Sequence, residues 1–186
     1  MKKSLLISSL LFSLTAHEVF AAQPTVQACC FNDNTVTTTS INVSWNRGNG
    51  DYVIVVARLS PGTVDTPNDG TNYTASSLFG SGSNIGFSNY VVYEGTGTSV
   101  TVTGLAIGTQ YTFTAFEYNM DIFDNYNYLI TGYPSLSRYT LAAAPTVQVT
   151  GLTSSALTPS GATLNWTSGN GSYDFVTLRA STSNTN

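Results

Sequence analysis

Hydrophobic positions along this chain recur every second residue or in short unbroken runs. Gly, Asn, Ser and Pro separate them, and no stretch keeps a helical period. SINVSW (40–45) alternates Ile41, Val43 and Trp45 with Asn42 and Ser44, which predicts a strand with one buried face. RGNG (47–50) follows. Gly and Asn tolerate positive φ, so a tight reversal is expected there. DYVIVVARL (51–59) is a β-branched run with no break, and a Gly/Ser/Asn-rich excursion spans 61–89. NYVVYEG (89–95), SVTVTGL (99–105) and TQYTFTAFEYN (109–119) read as further strands. PTVQACCF (24–31) reads as the first strand, and PSLSRYTLA (134–142) holds the last. Seven or so short strands punctuated by turn residues predict an all-β fold, an antiparallel sandwich.

The pattern then restarts. AAQPTVQ (21–27) aligns with AAAPTVQ (142–148), and SWNRGNGDYVIVVAR (44–58) with NWTSGNGSYDFVTLR (165–179), both without a gap at an offset of 121 residues. Residues 22–141 are expected to form one domain, and 142–186 an incomplete N-terminal part of a second copy. Trp166, Phe175 and Val176 would lack their facing sheet there, as in a truncated piece of a longer tandem protein.

Within the first copy the residues carry a resemblance. SINVSW resembles the second strand of fibronectin type III domains, with Trp45 as the core tryptophan. GLAIGTQYTF (104–113) resembles that fold's corner, which implies that Tyr111 bonds backbone through its hydroxyl. Residues 69–119 resemble the fibronectin type III-like repeats of secreted and cell-surface proteins of Bacteroidota. The resemblance implies an Ig-like or fibronectin type III-like sandwich in an extracellular setting, and no activity. The long insertion after Arg58 and the pair Cys29-Cys30 depart from it.

The N-terminus changes the inventory. Lys2 and Lys3 precede an apolar run from Leu5 to Leu14, and Val19-Phe20-Ala21 has small or aliphatic residues at the −3 and −1 positions. This is the pattern of a secretory signal peptide, residues 1–21, cleaved after Ala21. Both lysines and the one histidine, His17, leave with it. Four arginines then face nine carboxylates, so nucleic acid and anionic membrane surfaces are not expected partners. No run is long enough to insert into a membrane. Charged residues are 9% of the chain and hydrophobic ones 41%, which suits a core under an uncharged polar surface.

Candidate chemistry is sparse. Without an imidazole there is no Ser-His or Cys-His device and no histidine metal site. Without a lysine there is no Schiff base. Glu94 and Glu117 are the only glutamates after the leader; a glycosidase pair would hold them together in a cleft, whereas turn-capping residues would stand on opposite ends or face solvent. The segment 117–128, EYNMDIFDNYNY, is expected to be the loop between the last two strands, where a sandwich displays recognition residues. Tyr118, Asn119, Asp121, Phe123, Asp124, Tyr126 and Tyr128 combine rigid aromatic area with adaptable hydrogen bonding, suited to a protein or glycan ligand. The other reading packs these aromatics onto the sandwich edge. Asn119, Asp121, Asp124 and Asn125 are hard oxygen ligands of the kind calcium takes, in no EF-hand spacing; Asx residues also serve their own backbone.

In a regular strand Cys29 and Cys30 would point to opposite faces, one into the core and one free for a partner chain. A bridge between neighbours would be strained. No cofactor and no enzymatic activity are expected. The function classes left are a binding or adhesion module, a passive spacer between extracellular domains and, more remotely, the accessory domain of a secreted hydrolase.

Overall fold

The computed structural model describes residues 21–171. The expected leader falls almost wholly outside them, as do Phe175, Val176 and Arg179. Eight strands make the first copy: β1 (Cys29–Val36), β2 (Ile41–Asn46), β3 (Tyr52–Leu59), β4 (Tyr90–Gly95), β5 (Ser99–Val102), β6 (Gln110–Met120), β7 (Tyr126–Tyr128) and β8 (Ser135–Tyr139). One sheet has the order β1-β2-β5. The other runs β4-β3-β6, and the free edge of β6 pairs with β8 at one end and β7 at the other. All pairings between these strands are antiparallel, so the chain is the all-β sandwich expected.

The alternation in β2 works as read. Ile41, Val43 and Trp45 are buried against Val53, Val55 and Ala57 of β3 and Phe113 and Ala115 of β6. Trp45 meets Tyr93 edge-on at 5.1 Å. Tyr111 closes the corner: its hydroxyl oxygen accepts the Ala106 N–H at 2.9 Å.

The unbroken run of β3 has a further meaning. Val53 to Ala57 are all buried, because both faces of this sheet are covered. One face makes the core just described. On the other, Ile54 and Val56 join Val91, Phe116, Tyr118, Tyr126 and Tyr128 under Tyr73 and Ile85. Tyr73 and Ile85 belong to the long excursion after Arg58, so this irregular segment roofs a second core rather than looping free.

The first strand differs from expectation. β1 begins at Cys29, not at Pro24. Pro24 has no N–H to give, and those of Thr25 and Val26 go to Asn49 Oδ1 at 3.0 and 2.8 Å, so this stretch is held as a strap instead.

The second copy shows β9 (Thr150–Thr158) and β10 (Gly161–Thr167), paired with each other as a two-stranded sheet. Both strands are exposed along their whole length, Trp166 included at 41%.

Candidate functional site

The segment 117–128 is a hairpin. β6 continues to Met120 and pairs with β7 through Tyr118–Tyr128, Asn119–Asn127 and Met120–Tyr126, so only residues 121–125 turn. The pleat sends Tyr118, Tyr126 and Tyr128 to one face, where all three are buried. The Tyr118 ring lies 4.9 Å from Tyr128 and 5.6 Å from Tyr126. Its hydroxyl donates to Glu94 Oε1 at 2.6 Å, and the Tyr128 hydroxyl donates to the Thr71 carbonyl at 2.9 Å. Burial pushes both phenols well above their ordinary range, and the carboxylate beside Tyr118 adds to the effect. Of the aromatic residues singled out as contacts, these three lie within the second core. Phe123, 73% exposed beside Ile122 at 90%, is the one presented outward.

Except for the exposed Asp124, the oxygen-rich side chains are committed to the chain itself. Asn119 Oδ1 accepts the Asp51 N–H at 2.9 Å, and its amide donates to the Ala22 carbonyl at 2.6 Å. Asn127 donates to the Ala21 carbonyl at 2.7 Å. Asp121 Oδ1 accepts the N–H groups of Phe123 and Asn125, and Oδ2 accepts the Asn125 side chain at 2.8 Å. That side-chain bond holds the Asp121 carboxyl below its ordinary pKa. Asp124 takes a left-handed φ of 60° to complete the turn. Asn119, Asp121 and Asn125 thus spend their polar atoms closing a hairpin and tying down the N-terminal strap.

Glu117 is fully buried, contrary to a solvent-facing turn residue. Arg47 grips it twice, Nε to Oε1 and Nη2 to Oε2, both at 2.8 Å, and the Gly48 N–H adds 2.7 Å to Oε1. This bond to Glu117 raises the Arg47 pKa further. Glu94 lies elsewhere. It pairs with Ile54, which faces the second core, while Glu117 pairs with Val53, which faces the first. The two carboxylates stand on opposite faces of one sheet and do not frame a cleft.

The phrase GNG turns out to be a clasp. Asn49 Oδ1 takes the N–H groups of Thr25 and Val26, its amide donates to Thr25 Oγ1 at 2.9 Å, and its own N–H donates to the Val26 carbonyl at 3.1 Å. Asn170 repeats all four bonds with Thr146 and Val147 in the second copy. Neither Gly48 nor Gly50 has positive φ; each is glycine because backbone or side chain passes too close for a Cβ. The clue available beforehand was that PTV and GNG recur at the same offset.

Cys29 and Cys30 are both exposed and unpaired, where one was expected in the core. The cause is a bulge: Cys29 faces Asn46 but Asn32 faces Ser44, and Cys30 sits at φ 62°. Alternation is suspended there, and the Cys30 thiol beside it raises the Cys29 pKa.

No protein-family profile matches the chain, and no curated protein matches it. Among solved structures it is similar to the FN5 domain of Drosophila Lar, with 15% identity, a TM-score of 0.35, and coverage of 66% of this chain and 100% of that one. At that level the likeness adds nothing to the sandwich that the strand pairing already defines.

Proposed function

We propose that this chain is a non-catalytic, exported module that serves as a structural spacer in a tandem-repeat protein. Residues 22–141 are one module and 142–186 the opening of the next. The observation that carries this reading is the commitment of most of the singled-out side chains of 117–128: Tyr118, Asn119, Asp121, Tyr126 and Tyr128. Tyr118, Tyr126 and Tyr128 are interior, and Asn119 and Asn127 hold the N-terminal strap. A segment built to touch a partner would leave such groups free. The recurrence of the Asn49 clasp at Asn170 supports the repeat. The lack of histidine and lysine beyond the leader, with the two glutamates on opposite sheet faces, supports the absence of catalysis.

The second reading is adhesion, and one feature favours it: Ile122 and Phe123 stand exposed on a turn braced by Asp121. A protein or glycan ligand would seat on that tip alone. The two readings separate in a capture experiment with the exported protein and an Ile122→Ser/Phe123→Ser variant on glycan arrays and cell surfaces. The spacer reading expects equal signals. Capture by the wild type that the variant loses would replace it with adhesion. Mass spectrometry of the exported protein tests the leader, with Ala22 expected as the first residue.

A further inference from the structure

The two copies bend their first strand at the same place. In β1, Cys29 faces Asn46 and Asn32 faces Ser44; in β9, Thr150 faces Thr167 and Thr153 faces Asn165, the same shift at the same offset. The residue that makes the bulge is left-handed in both, Cys30 at φ 62° and Gly151 at φ 64°. Glycine is what this backbone asks for, since a Cβ crowds the neighbouring carbonyl in that region. Cys29 likewise stands where the second copy has Thr150. The bulge therefore forms without either sulfur. Nor do the sulfurs repay the strain by packing, for both cysteines are exposed. A side chain kept in a disfavoured conformation without a packing return points to a use for the group itself.

We propose that Cys29 and Cys30 form a solvent-open dithiolate site for a soft, thiophilic metal ion of the Cu(I) class. An unbroken strand would send the two side chains to opposite faces. At the bulge that alternation is interrupted and both side chains are exposed, which leaves both sulfurs open to one ion. Adjacent Cα atoms are about 3.8 Å apart, short of the roughly 4.4–6.8 Å that a relaxed disulfide spans, so the pair closes on a metal more readily than on itself. Thiolates select soft ions over calcium or magnesium. No third Cys, His, Asp or Glu gathers with the pair among the described residues. That suits an ion content with two sulfur donors better than zinc, which takes four ligands in its structural sites. On binding, two thiols release two protons and two sulfur–metal bonds form. The metal keeps its charge, so no oxidant or reductant is required.

The test uses the full chain, kept reduced, with Cu(I) supplied as its bicinchoninate complex. Copper transfer, residual free thiols and size in solution are read together. Cys29→Thr and Cys30→Gly are the variants, because the second copy carries those residues in the same bulge and the fold survives them. The expected result is one ion per chain, loss of both free thiols, an unchanged size in solution, and no copper transfer to either variant. Failure of the wild type to take copper from the complex overturns the proposal. So does equal uptake by Cys30→Gly, or uptake of half an ion per chain with dimerisation, which would place the ion between two copies.

Discussion

Gly48 lies directly beneath the Val26 carbonyl: a Cβ on Gly48 would stand 2.0 Å from that oxygen. The strap and the turn are thus pressed together before any side chain intervenes, and Asn49 then locks them. Gly48→Ala must displace the strap and break the bonds from Asn49 to Thr25 and Val26. The expected loss is about 2 kcal/mol, in the range of overpacking substitutions, read as a lower urea midpoint with unchanged slope. Gly169 stands 2.1 Å from the Val147 oxygen by the same measure. Its bonds lie outside the first sandwich, so Gly169→Ala should leave that transition where it is.

The ion pair of Arg47 and Glu117 gives a larger effect. The Glu117 side chain is wholly buried and that of Arg47 is 17% exposed. Arg47→Ala leaves a buried carboxylate with the Gly48 N–H as its remaining partner, and should cost about 3 kcal/mol. Removing both charges with Arg47→Met and Glu117→Leu should cost less than Arg47→Ala alone, since no charge is then stranded. Chemical denaturation of the single and double variants checks this, and a double variant weaker than the single would refute the account.

These two relationships show where the sequence was legible. Ile41, Val43 and Trp45 announce their strand because the period of two is local, whereas the Tyr111 corner is implied by the family resemblance of 104–113 and not by any period. Gly48 could be read only as a turn residue, because what excludes its Cβ arrives from Val26. The bonding of Glu117 and Asn119 was not legible because their partners, Arg47, Asp51 and Ala22, are remote in sequence. The excursion 61–89 carried no period at all. It contributes single anchors, Tyr73 and Ile85, to a core that no repeating pattern in that segment foretells. Local geometry is written in local pattern, whereas long-range commitment of a side chain is not.

The buried tyrosines make stability fall in alkali. Their pKa values lie above that of a free phenol, about 10, so the folded state holds protons that the unfolded chain has released. This contribution is intact below about pH 10 and is lost as pH rises above it, by about 1.4 kcal/mol per pH unit for each phenol. Tyr118→Phe removes one such group. It should cost about 1 kcal/mol near neutrality, through the bond to Glu94, and give a shallower alkaline limb. Urea midpoints between about pH 8 and pH 11 report both effects; parallel limbs for wild type and variant would contradict the assignment.

Calcium should leave the melting temperature unchanged. A ligand that binds the native state alone stabilises it by RT ln(1 + [L]/Kd), so a site filled well above its Kd would raise the melting temperature. Asn119 is already bonded at both ends of its amide, and both oxygens of Asp121 serve Phe123 and Asn125. A calcium-dependent rise that Asp121→Ala abolishes would reverse this reading. Without calcium, Asp121→Ala should speed amide exchange at Phe123 and Asn125 and leave Tyr128 protected, because Tyr128 N–H is bonded to Asp69.

Cys30→Gly should make the protein more stable, an unusual expectation for glycine in a strand. Glycine ordinarily weakens a strand through the entropy of the unfolded chain. Here the native φ of 62° reverses the balance, because a Cβ in the left-handed region costs roughly 1–2 kcal/mol and the thiol is exposed, so no packing is lost. The net gain expected is about 1 kcal/mol, measured on reduced protein in urea. Cys29→Thr, outside the left-handed position, should change stability by less than about 0.5 kcal/mol. If Cys30→Gly instead destabilised the chain, the sulfur would be contributing to the fold, and the strain that sets it apart as a functional group would be gone.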